Sequence, residues 1–187
     1  MIYDAVVVGA RAAGAATAML LARYGHRVLM VDRAGIGSDT LSTHALLRGG
    51  VLQLHRWDLL ERVIEAGTPA VQTARFHYLD GVVDVPVTPS PGVPALYAPR
   101  RTVLDPILVA AARERGVEVR DHTSVTGIRV TDGGRVEGVE LANQHPVAAR
   151  LVVGADGVRS FVGRAVNAPV IRQGRHGSAF VARIIEY

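Results

Sequence analysis

The sequence predicts an α/β fold: a parallel sheet with helices, a β-meander, and an incomplete β-rich excursion. Three observations carry this. The first 33 residues switch from strand to helix to strand periodicity. The same alternation returns after a proline-rich extended stretch near residue 100. Between the last helical runs lies an alternating segment broken by "DGG". A chain of 187 residues with 49% hydrophobic content is long enough to bury a real core around such a sheet.

Taken in order, "IYDAVVVGA" reads as a buried strand and "AAGAATAMLLARYG" as an alanine-rich helix ended by Gly25 at C′. "HRVLMVDR" is a second buried strand, so a βαβ unit with a right-handed crossover is expected. "AGIGSDTLSTH" is a loop longer than a mere connection needs. Residues 45–66 show helical periodicity interrupted at Gly49 and Gly50 and again around Trp57, which predicts two short helices or one bent one. "ARFHYLDGVVDVPV" alternates like a hairpin turning near Asp80 and Gly81, and Asp80 and Asp84 read as solvated. "TVLDPILVAAARERG" resumes helix, with Pro106 expected near its first turn. "VEVRD" is a strand, and "SVTGIRVTDGGRVEGVELA" a meander. "ARLVVGAD", "GVRSFVGRAV" and "GSAFVARIIEY" read as strand, helix and the start of another strand.

Absences restrict the chemistry more than charge does. All 21 basic residues are Arg and there is no Cys. Disulfides, thiolate nucleophiles, thiolate metal sites, Schiff-base lysines and a P-loop lysine are all excluded. The hard step of any reaction must fall to a cofactor. The net charge of +4 is scattered and aromatics are only 5%, which argues against a nucleic-acid groove. The seven histidines show no metal-ligand spacing, so no metal is expected. No signal peptide is legible, and the apolar run from Ala12 to Ala22 is too short to span a bilayer, which needs about 18 residues. A cytoplasmic protein with no membrane span is the expectation.

"GARAAG", residues 9–14, follows the first strand and opens the first helix. Such a turn points free N–H groups and the positive end of the helix dipole at a pyrophosphate. Gly9 serves the tight turn and Gly14 the helix-to-strand packing, with Ala10 and Ala13 between them. Arg11 occupies the position of the usual middle glycine; it must turn its side chain away, and could then offer a charge-assisted contact to a phosphate or to a second nucleotide. Asp32 ends the second strand 18 residues after Gly14, where a carboxylate accepts hydrogen bonds from an unphosphorylated ribose; Arg33 follows it.

Together "VVVGARAAGAATAMLLARYGHRVLMVDR", "APRRTVLDPILVAAARERGVEV" and "LVVGADGVRSFVGRAV" resemble the FAD-dependent oxidoreductases of the aromatic-hydroxylase and geranylgeranyl-reductase type. The resemblance covers nearly the whole chain in family order. It implies a Rossmann-like FAD-binding fold, with residues 1–67 and 100–166 as the nucleotide-binding layer. Residues 68–99 and 170–187 would be part of a substrate-domain sheet. By that likeness Asp156 and Gly157 of "GADGVRS" sit near the ribityl and pyrophosphate groups of FAD. Arg101, in preference to Arg100, would reach the cofactor. Backbone at Val125 would meet adenine, and Thr43 and His44 would pass the flavin.

The resemblance also implies NAD(P)H as electron donor and a small organic substrate, aromatic or prenyl-type, taken by hydroxylation or reduction. No catalytic residue is assigned: His44 reads as a loop hydrogen-bonder more readily than as an acid or base. Members usually run about twice as long and carry a further "GD" motif that is not seen after Arg159. Two readings therefore stand: an FAD-dependent, monooxygenase-like oxidoreductase, or a non-catalytic FAD- or ADP-binding module or enzyme remnant needing a partner chain. The expected partners are a small-molecule substrate and a second copy or complementing chain.

Overall fold

A computed structural model describes residues 2–39 and 45–172 of the chain. The segment Ile2–Val8 (β1) enters the sheet with an exposed Ile2 and a partly buried Asp4, and from Ala5 to Val8 is apolar and buried on both sides. Ala12–Arg23 (α1) follows and stops at Gly25, whose φ of +84° is the left-handed conformation a helix end favours. The His26 N–H returns to the Leu21 carbonyl at 3.2 Å to close that end. Val28–Val31 (β2) completes the βαβ unit, pairing parallel to β1.

Arg48–Arg56 (α2) and Leu60–Glu65 (α3) are two separate helices. The break falls at Trp57 and Asp58, the latter at φ +61°, whereas Gly49 and Gly50 lie inside α2 and do not interrupt it. Ala70–Val71 (β3), Thr73–Tyr78 (β4), Gly81–Pro86 (β5) and Leu96–Tyr97 (β6) form the excursion. β4 and β5 make the expected hairpin apart from the main sheet, and β3 pairs with β6. Asp84 is exposed as expected but pairs with Arg75 at 2.7 Å.

Arg101–Glu114 (α4) returns the chain to the main layer. Pro106 sits one turn further into α4 than the sequence suggested, and Gly37 packs against its ring. Glu118–Arg120 (β7), Val125–Val130 (β8), Val136–Leu141 (β9) and Val147–Gly154 (β10) follow, then Phe161–Ala165 (α5). The sheet order is β7-β2-β1-β10-β9-β8. β7, β2, β1 and β10 run parallel, while β8 and β9 give the antiparallel meander. α5 starts at Phe161 rather than at Gly157, because the Ser160 hydroxyl accepts the Gly163 N–H and caps it there.

The pleat divides the core. Val7, Val28 and Met30 face α1 and α4, joining Ala15, Met19, Leu108 and Val109. Val6, Val8, Leu29 and Val31 face the other way, against Val139 and Leu141 of β9 and Val162 of α5. Residues of α1 and α4 therefore cover one side of the parallel strands, while side chains of the meander and of α5 pack on the other, which makes this a Rossmann-like α/β fold. The last predicted strand, from Gly177 onward, lies outside the described residues.

Candidate functional site

From β1 the chain crosses by α1 to β2 on one side, and much later returns as β10 on the other. The carboxyl ends of these three strands thus flank a topological switch point, where a parallel sheet leaves a crevice. The loops there are held tightly. Gly9 donates to the Val31 carbonyl at 2.7 Å, and Ala155 donates to the Val8 carbonyl at 2.8 Å. Gly9 has φ +105°, and a Cβ on it would fall 2.4 Å from the Ala155 carbonyl oxygen. A Cβ on Gly14 would fall 1.7 Å from the Gly9 carbonyl oxygen. Both glycines are demanded by close backbone packing.

Arg11 differs: its φ of −92° and ψ of −173° are extended backbone open to any residue. It is the N-cap of α1 yet makes no side-chain capping bond, and the first turn of α1 holds no acidic residue. The opening N–H groups of α1 lack intrahelical partners and carry the positive end of its dipole. Their surroundings suit a pyrophosphate: donors, no competing carboxylate in the turn, and a glycine-built approach.

Asp32 stands beside this turn. One carboxylate oxygen accepts the Ala10 N–H at 2.7 Å and the other the Ala34 N–H at 2.8 Å. Ala10, Arg11, Asp32 and Asp105 line a small cleft with the Gly35–Ser38 stretch. That stretch is fastened at two points, and a third contact holds the residue that follows it. His122 packs on Gly35, Pro106 on Gly37, and Arg100 pairs with Asp39 at 2.8 Å.

Arg101 opens α4 and is held by Asp105 one turn on, with contacts of 2.9 and 2.7 Å. The two side chains are 16% and 5% exposed. Asp105, not Arg101, lines the cleft. Sequence reading missed Asp105, although "RTVLD" places Arg and Asp at the i, i+4 spacing that brings them together on a helix.

The second loop is built by Asp156. Burial opposes ionisation of its carboxyl, but the Ser160 hydroxyl and the N–H groups of Val162, Asp156 and Phe161 outweigh it and hold the pKa below the ordinary value. The side chain thus organises the start of α5, with Phe161 N–H donating at 2.6 Å. Gly157, exposed at φ +85°, lets the loop turn. Val125 opens β8 and packs against the meander-side core. Arg33 is exposed beside Asp32. Thr43 and His44 lie outside the described residues. Tyr3, which donates to Glu118, lies at the opposite end of β1 from the cleft.

Among the described residues no group of three or more His, Asp or Glu is placed to hold a metal. No described helix is long and apolar enough to cross a membrane.

A glycine turn, an open helix N-terminus and a strand-end carboxylate at a switch point define a dinucleotide-binding domain. More narrowly, the chain belongs to the FAD binding domain family, whose family model matches residues 2–185. It is 31% identical over 181 residues to menaquinone reductase of Mycolicibacterium smegmatis, covering 94% of this chain and 42% of that protein. It is 34% identical over 173 residues to digeranylgeranylglycerophospholipid reductase 2 of Methanopyrus kandleri, covering 88% and 40%. Aklavinone 12-hydroxylase of Streptomyces peucetius subsp. caesius is 29% identical, covering 97% and 40%. The chain thus spans about two fifths of the length of these relatives. The fold is shared with Pseudomonas aeruginosa PqsL, solved with 2-aminobenzoylacetate, at a TM-score of 0.79 and 21% identity over 93% of this chain and 48% of that one.

Proposed function

We propose that this chain is the FAD-binding part of an FAD-dependent oxidoreductase of the monooxygenase and reductase type. The observation that carries the reading is the meeting of the β1, β2 and β10 loops around an α1 N-terminus free of capping side chains. Gly9, Ala10, Arg11, Ala13 and Gly14 are the candidates to hold the pyrophosphate, and Asp32 with Arg33 the adenosine ribose. The Asp32 oxygens keep lone pairs beyond the two backbone bonds, so ribose hydroxyls can still be accepted. Val125 backbone is assigned to adenine, and Asp156 and Gly157 to the loop beside the ribityl chain. Arg101 acts at one remove, through Asp105.

FAD, when bound, supplies the redox step, taking electrons from NAD(P)H and passing them to oxygen or to an unsaturated bond. This chain's contribution is to bind, orient and set the local charge. Relatives that reduce menaquinone or geranylgeranyl lipids, or hydroxylate aklavinone, support an aromatic or prenyl-type substrate. The second reading is a non-catalytic FAD- or ADP-binding module or enzyme remnant needing a partner chain; the match to about two fifths of each relative's length is the observation beside it.

The purified chain tests this directly. A yellow protein with flavin absorbance, released on denaturation or restored by added FAD, is expected. Protein that stays colourless after FAD reconstitution would sink the reading. NADH and NADPH oxidation, with and without aromatic or prenyl quinone substrates, then separates an active oxidoreductase from a binding module.

A further inference from the structure

Two arginines bear on the α1 cleft, Arg11 in its lining and Arg101 behind Asp105, and they are not equivalent. Arg101 is gripped by both oxygens of Asp105 in a nearly buried pair, so its charge is already neutralised. Arg11 lines the cleft with no hydrogen-bond or ion-pair partner among the described residues. The other charged groups lining the cleft are the carboxylates of Asp32 and Asp105. A pyrophosphate brings further negative charge to this place. Were residue 11 glycine, the lining would keep the Asp32 carboxylate and an Asp105 carboxylate already paired with Arg101, and no cation of its own.

Placing a cation at a helix N-terminus runs against the helix dipole, so Arg11 is not there for the helix. Nor does the backbone ask for glycine, since Arg11 is extended rather than left-handed.

Resting on the FAD reading above, we propose that Arg11 is the counter-ion of the cofactor's pyrophosphate. It replaces the close backbone approach of a glycine with a charge-assisted contact. The Arg101 and Asp105 pair is a neutral wall that leaves this task to Arg11. Recognition is then strongly salt-dependent and favours FAD over riboflavin, which has no phosphate.

The experiment is titration of FAD and of riboflavin into the purified chain, followed by flavin fluorescence at low and high salt, for wild type, R11G, R11Q and R11K. R11G restores the usual glycine, and glycine is tolerated at an N-cap, so its thermal melting should stay close to wild type. R11Q provides the charge-free comparison should R11G fold poorly. The expected result is that R11G and R11Q bind FAD about tenfold or more weaker at low salt, the scale of a lost charge-assisted bond. Their salt dependence flattens, the preference over riboflavin shrinks, and R11K recovers part of the loss. Wild type that binds FAD while R11G and R11Q bind it equally or tighter, with unchanged salt dependence, overturns this proposal alone. Wild type that does not bind FAD overturns the FAD reading, and the proposal with it.

Discussion

The Asp32 carboxylate accepts the Ala10 N–H at 2.7 Å, so the end of the second strand latches the glycine turn that leaves the first. Its other oxygen takes the Ala34 N–H, fixing the start of the loop that lines the cleft. One side chain therefore shapes both walls.

This double role makes Asp32→Ala costly in two measurable ways. Two backbone N–H groups lose their acceptor, and the melting free energy should fall by about 1–3 kcal/mol. FAD affinity should fall as well, by about 1–3 kcal/mol if the ribose is also accepted here. Asp32→Asn separates the effects, because its amide keeps one acceptor but turns a donor toward one N–H. Unchanged FAD affinity in both variants removes Asp32 from the cofactor site.

Gly14→Ala has no room at all. Its Cβ would sit 1.7 Å from the Gly9 carbonyl oxygen, a backbone atom that cannot swing aside. α1 must move off β1, and overpacking of this kind costs about 1–3 kcal/mol or more. Denaturant melts of G14A should show that loss, with Gly25→Ala as contrast. A Cβ at Gly25 meets nothing within 4 Å, so only its φ of +84° resists substitution there.

Asp105→Ala strands the Arg101 cation in a largely buried place. Breaking one partner of a buried pair costs about 3–5 kcal/mol, whereas removing both costs less. The double variant R101M/D105L should therefore be more stable than D105A in denaturant melts. A strictly additive pair of single effects would show that the two side chains do not act as a unit.

Much of this arrangement is legible in the residues because it is local. The βαβ unit, Gly9, Gly14 and Asp32 sit in one span of 32 residues whose periodicity changes sharply. The meander shows through its alternation and "DGG" turn. What was not legible depends on chain brought together from afar. The packing of Gly35 on His122 and of Gly37 on Pro106 has no pattern in one dimension. Asp105 was readable by spacing, but only the fold turns it toward the cleft. Gly49 and Gly50 looked like a break, yet α2 passes through them: buried Val51 and Leu54 anchor it, and an exposed glycine costs a helix only about 1 kcal/mol. The helix expected from Gly157 was shortened by Ser160, a capping residue inside "GADGVRS".

Asp156 should leave a signature in acid. Its folded-state pKa lies below the ordinary value of 3.8, since burial is outweighed by the Ser160 hydroxyl and the surrounding backbone donors. Around that value the unfolded chain therefore binds more protons than the native one, and stability rises with pH there. The contribution is complete above the unfolded pKa and is lost as pH falls through the lower, folded one. Asp156→Asn keeps the shape and one acceptor but cannot ionise. Denaturant melts from pH 7 down to about pH 3 should show wild type more stable at neutral pH, with the gap to D156N narrowing as pH drops below about 4. A gap that stays constant over that range would mean that the ionised form of Asp156 is not what secures the loop and the start of α5.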